Sequence, residues 1–139
     1  MLRPMTLLLA LATVLLLAAS VYAEPNLTEG KWEITTQMEM PGMPMAIPPV
    51  TYTHCMNKKD VVPQRPEQNQ DCKMISTDIQ GDTVFWVMEC KNGKETVRST
   101  GNVTYKKNRF DGALNTTMSG SENMTMQSKI SGRYLGPCK

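Results

Sequence analysis

The sequence predicts an all-β domain: a strongly curved antiparallel meander of about seven strands, half-open or closed like a barrel, with two disulfides and one short helical turn near residues 58–63. Three observations carry this prediction. From residue 31 onward apolar side chains recur at every second position, and strong helix signals are nearly absent. Turn sequences between the apolar runs set strand registers that agree with one another. Four cysteines, Cys55, Cys72, Cys90 and Cys138, lie beyond the leader, an even number suited to two bridges in an exported chain.

Residues 1–23 read as a signal peptide. Arg3 supplies the positive start, "LLLALATVLLLAA" (7–19) is an apolar stretch short for a membrane span, and Val21-Tyr22-Ala23 is a small-x-small cleavage site. The leader has no cysteine to carry a lipid anchor. Residues 24–139 are then one domain, large enough for a single modest core. Without Arg3 the basic residues exceed the 13 acidic ones by one, and Lys58-Lys59 and Lys106-Lys107 are only pairs. Nucleic-acid binding has no electrostatic footprint here, and no second apolar segment suggests a transmembrane helix.

"KWEITTQMEM" (31–40) alternates cleanly, with Trp32, Ile34, Met38 and Met40 on one face and Lys31, Glu33, Gln37 and Glu39 on the other. That is a half-buried strand. It runs into "PGMPMAIPP" (41–49), a proline-stiffened loop that carries Met43 and Met45. His54 is expected at a strand end. "NKKDVVPQRPEQNQD" (57–71) breaks the β pattern. Val61-Val62 after Asp60 suggests one helical turn ended by Pro63, and its valines are candidates to cover an outer stripe of Ile75, Ile79, Phe85 and Val87.

From Cys72 to Tyr134 the turns set the register. A three-residue turn over Gln80 to Asp82 places Met74 opposite Met88. The Asn-Gly of "KNGK" (91–94) pairs Lys91 with Lys94 and hence Met88 with Val97. "KKNR" (106–109) pairs Tyr105 with Phe110, and a turn over Gly120 to Glu122 sets Met118 opposite Met124. One face then collects Val97, Ser99, Gly101, Val103 and Tyr105, with Phe110, Gly112, Leu114, Thr116 and Met118. Met124, Met126, Ser128, Ile130, Gly132 and Tyr134 join them. The other face is threonine, asparagine and charge. Inward glycines at 101, 112 and 132 either relieve crowding in a sharply coiled sheet or make room for large neighbours.

The same register sets Cys72 across from Cys90, at a Cβ separation near the bridging range. Cys55 is left to bond Cys138. The last strand supports this, because Met124 to Tyr134 spans on the order of 33 Å and carries Cys138 to the opposite end of the sheet. A zinc site is the competing use of the cysteines, but no C-x-x-C spacing exists and His54 is the single histidine.

"GKWEIT", "MPGMP", "THCMNKKD", "DCKM…GDTVFWVMEC", "GNVTY…FDG" and "SGRYLGPC" follow one another in an order that resembles the secreted bacterial family known as domain of unknown function 3617. The resemblance covers roughly residues 29–138. It implies a Gram-negative periplasm, a small β-rich domain and no assigned reaction. In a bacterial source the sequons at Asn26, Asn102, Asn115 and Asn123 are bystanders; in a eukaryotic one they would accept glycans.

No catalytic constellation stands out, so the chain is not expected to be an enzyme. His54 adjoins a cysteine assigned to a disulfide, and Glu33, Glu39, Glu89 and Asp111 fall on outward positions, away from any cleft for acid–base work. No P-loop, nucleotide-binding glycine motif or HExxH is present. The methionines carry the most content. On one reading the concave face, with Trp86, Met88, Met118 and Met126, binds a lipid-like molecule or peptide under the Met43–Met45 loop, or docks an envelope protein. The bland reading, favoured by chain length, is that these side chains simply fill the interior. An alternative is Cu(I) held by Met38, Met40, Met43 and Met45 with His54; otherwise no cofactor is expected.

Overall fold

The computed structural model of the protein describes residues 24–42, 47–64, 71–120 and 123–139. The leader reading of residues 1–23 lies outside them, as do Met43 and Met45. Alternating apolar residues produce seven strands: β1 (Gly30–Glu39), β2 (Val50–Met56), β3 (Asp71–Gln80), β4 (Thr83–Asn92), β5 (Glu95–Tyr105), β6 (Arg109–Ser119) and β7 (Met124–Gly136). They form one antiparallel sheet in the order β2-β1-β7-β6-β5-β4-β3. β3 to β7 are consecutive hairpins. β1 closes onto β7 because both present apolar residues on the same face, with Trp32 opposite Tyr134 and Ile34 opposite Gly132.

The sheet is curled into a half-barrel. Trp32 on β1 and Tyr105 on β5 are three strand steps apart, about 14 Å in a flat sheet, yet their ring centroids lie 6.2 Å from each other. Two inward glycines accept rings from neighbouring strands. A Cβ on Gly101 would fall 2.2 Å from Trp86 Cζ2, and one on Gly132 would fall 2.2 Å from Phe110 Cε1. At Gly112 the same Cβ would meet the Asn102 carbonyl, a close backbone approach that suits sharp coiling.

The concave face divides into two halves. One end is packed solid by Trp32, Ile34, Val84, Val103, Tyr105, Phe110 and Ile130, all buried. The N-terminal segment runs under this end: Leu27 is buried, the Asn26 amide donates to Asp82 Oδ1 at 3.0 Å, and the Trp32 indole donates to the Thr28 carbonyl at 2.9 Å. Both expected disulfides form. Cys55–Cys138 ties the closed end, and Cys72–Cys90 ties β3 to β4 near the other.

Four local expectations are corrected. There is no helical turn at 58–63. Asn57 and Asp60 close a turn instead, in which the Asn57 side-chain carbonyl accepts from the amides of Lys59 at 2.8 Å and Asp60 at 3.0 Å, the local bond that draws asparagine out of helices. Val61 and Val62 do not cover the outer stripe. They are buried in the core, where the Tyr105 hydroxyl donates to the Val61 carbonyl. The physical reason is topological: β2 and β3 are the two edges of the half-barrel, so residues 57–64, which leave β2 towards β3, pack on its open side.

The third correction concerns β3 and β4. Gln80 pairs with Thr83 across a two-residue turn at Gly81-Asp82, and a bulge at Ile75 restores Met74 to Met88 and Cys72 to Cys90. Ile79 therefore pairs with Val84, on the inner face. Fourth, the β4–β5 turn is Gly93-Lys94, with Asn92 opposite Glu95 and Gly93 at φ 62°, so Met88 faces Ser99 and Trp86 faces Gly101. This slip of two residues leaves every side chain on its expected face.

Candidate ligand-binding cavity

Above the packed end the concave wall encloses a cavity of about 500 Å³. Register explains its lining. Met88, Ser99, Thr116 and Met126 form one cross-strand row over β4 to β7. Trp86, Gly101, Leu114, Ser128 and Met38 form the next row towards the closed end, continuing onto β1. Cys90, Val97 and Met118 make the row nearest the open end, and Ile130, Thr36 and Val50 lie deeper. Pro63 and Gln64, from the segment that leaves β2, line the remaining side.

The composition of the two halves differs. Branched aliphatics and aromatics fill the closed end, whereas the open end carries thioethers from Met38, Met88, Met118 and Met126. Methionine has three rotatable bonds and a polarizable sulfur, so a methionine wall adapts to what it contacts. Hydroxyls interrupt it: Ser99 is 8% exposed and its Oγ lies 3.2 Å from Thr116 Oγ1, in a bond either can donate. None of the described lining residues is charged.

Glu33, Glu39, Lys129 and Arg133 alternate with inward residues of β1 and β7 and so lie on the convex side. Arg133 donates to Glu33 Oε1 at 2.7 Å and Lys129 to Glu39 Oε1 at 2.8 Å. The Arg133 hydrogen bond holds the Glu33 carboxyl below its usual value, and the same bond raises the Arg133 guanidinium. At the closed end burial pushes the Tyr105 phenol well above its ordinary value, helped by the negative charge of Asp60. It stays protonated and keeps its bond to Val61 at neutral pH.

Of the residues singled out in the sequence, Trp86, Met88, Met118 and Met126 come together on the cavity wall. The described members of the copper set, Met38, Met40 and His54, are not gathered in the same way. Met38 lines the cavity and Met40 lies just past the end of β1, but His54 pairs with Trp32, six residues and about 20 Å along the strand from Met38. Its Nε2 is 3.2 Å from Asp60 Oδ2. Among the described residues no group of three or more His, Cys, Asp or Glu side chains is placed to hold a metal. Sequence reasoning missed Thr36, although it sits on the Trp32–Ile34–Met38 face at the expected period. Pro63 and Gln64 gave no signal, because a connecting segment has no periodicity.

The family model described as protein of unknown function (DUF3617) matches residues 27–138. The chain belongs to that family. The matched span starts at buried Leu27 and ends at Cys138, so it takes in all seven strands, both disulfides and the cavity. No curated protein matches the chain significantly, and neither does any solved structure.

Proposed function

We propose that this is a non-catalytic, exported binding domain of the periplasm that holds an apolar, lipid-like small molecule in its concave cavity. The observation that carries the reading is the wall itself: about 500 Å³ bounded by thioethers, Trp86 and Leu114 with a few hydroxyls. Ligand sites are commonly clefts of roughly 300–1,000 Å³, mostly apolar with a few placed polar groups. The non-catalytic character is supported by where the titratable groups lie. His54 is engaged with Asp60 away from the cavity, and Glu33 and Glu39 are paired with cations across the convex face. Export is supported by the leader reading and by two disulfides, which persist in oxidising compartments.

Native mass spectrometry of protein purified gently from the periplasm tests this reading. The expected spectrum contains a lipid-sized adduct at one per chain, removed by organic extraction. A spectrum of bare protein in repeated preparations, with no adduct regained on adding periplasmic lipid extract, would leave the cavity without a role.

A further inference from the structure

We infer that the cavity selects an uncharged amphiphile bearing an acceptor oxygen, of the ester or ketone kind, held against a stripe of hydroxyls on one wall. This rests on the binding reading above and names the ligand class for the same cavity. The stripe consists of Ser99, Thr116, Ser128 and Thr36, one residue from each of the adjacent strands β5, β6, β7 and β1, and all four line the cavity. Ser99 pairs with Thr116. Thr116 pairs with Met126, two residues before Ser128. Ser128 pairs with Met38, two residues after Thr36. The hydroxyls therefore track diagonally across the sheet, starting at Ser99 beside Met88, and share the cavity with the apolar Trp86 and the Cys72–Cys90 bridge.

A core built only to be filled gains nothing from these groups, since alanine and valine pack a sheet interior without a polar atom to satisfy. The Ser99–Thr116 pair spends one hydroxyl proton on its internal bond and retains the other for an acceptor within the cavity. A carbonyl or ester oxygen takes that proton. A plain hydrocarbon leaves it unmet, at the cost of a desolvated donor. A carboxylate also accepts, but it brings a charge into a wall whose described residues offer no cation.

The test uses the intact mature protein at pH 8 and displacement of the neutral fluorophore N-phenyl-1-naphthylamine. Three competitors share a ten-carbon chain: methyl decanoate, decanoate and 1-chlorodecane. The ester is expected to displace the probe at a concentration about tenfold below either of the others. The Thr36→Val, Ser99→Ala, Thr116→Val, Ser128→Ala variant should erase that advantage while still binding the probe, and Thr116→Val alone should reduce it. Equal displacement by all three, or strongest displacement by decanoate, would overturn the hydroxyl inference and leave the apolar cavity standing. Failure of the wild-type protein to bind the probe or any competitor would remove both.

Discussion

Trp86 reaches its place because nothing projects from Gly101. The indole occupies the space above the glycine of the neighbouring strand, is 4% exposed and lines the cavity. A Gly101→Ala substitution forces the ring or the strand to shift, and it should destabilise the protein by about 1–3 kcal/mol, the usual cost of overpacking. Urea denaturation would read this directly. Tyr105 gives a second prediction. Its phenol is raised in the folded state, so its contribution is complete below the ordinary value of 10.0 and erodes as pH climbs beyond it toward the folded value. Wild type should lose stability above pH 10, whereas Tyr105→Phe should start about 1 kcal/mol lower and show a flatter alkaline limb; parallel limbs in pH-dependent melts would contradict this. That Trp86 points inward is legible from period two alone. That it covers Gly101 is not, because the partner depends on where within "KNGK" the chain turns.

Every residue of β3 is exposed, since it is an edge strand with a single neighbour, and the Cys72–Cys90 bridge fastens it to β4. The pairing of these cysteines was legible, but through two offsetting differences: a shorter turn at Gly81-Asp82 and an extra residue at Ile75. A bulge leaves no mark in apolar periodicity when both flanking stretches are mixed in character. The shift shows up as Ile79 on the inner rather than the outer face. For the bridge itself, eighteen residues of separation correspond to about 3 kcal/mol on the chain-entropy model. Replacing Cys72 and Cys90 by alanine should lower stability by up to that amount. It should also speed amide exchange in β3 while β6, paired on both sides, stays protected. Equal acceleration in both strands would mean that β3 is not the weakly held element.

At the scale of the molecule, a curled sheet with one packed end and one thioether-lined end makes a cup. Its closed end follows from Trp32, Tyr105, Phe110 and Tyr134 meeting across the curl. The inward face was readable because side chains alternate with a period of two, and any slip of two residues preserves it. The cup was not readable, because alternation says which face is apolar and nothing about whether side chains from distant strands meet in the middle. The side on which Val61 and Val62 pack is not legible for the same reason: it depends on β2 and β3 being the edges. The central claim is that an apolar chain enters this cup and reaches Trp86. Titration with a methyl alkanoate brominated along its chain tests it most directly, since bromine quenches tryptophan on contact. The account predicts saturable loss of a large part of the emission in wild type and little loss in Trp86→Phe, whose remaining Trp32 is fully buried at the closed end. Undiminished emission in wild type, or equal quenching in both proteins, would contradict it.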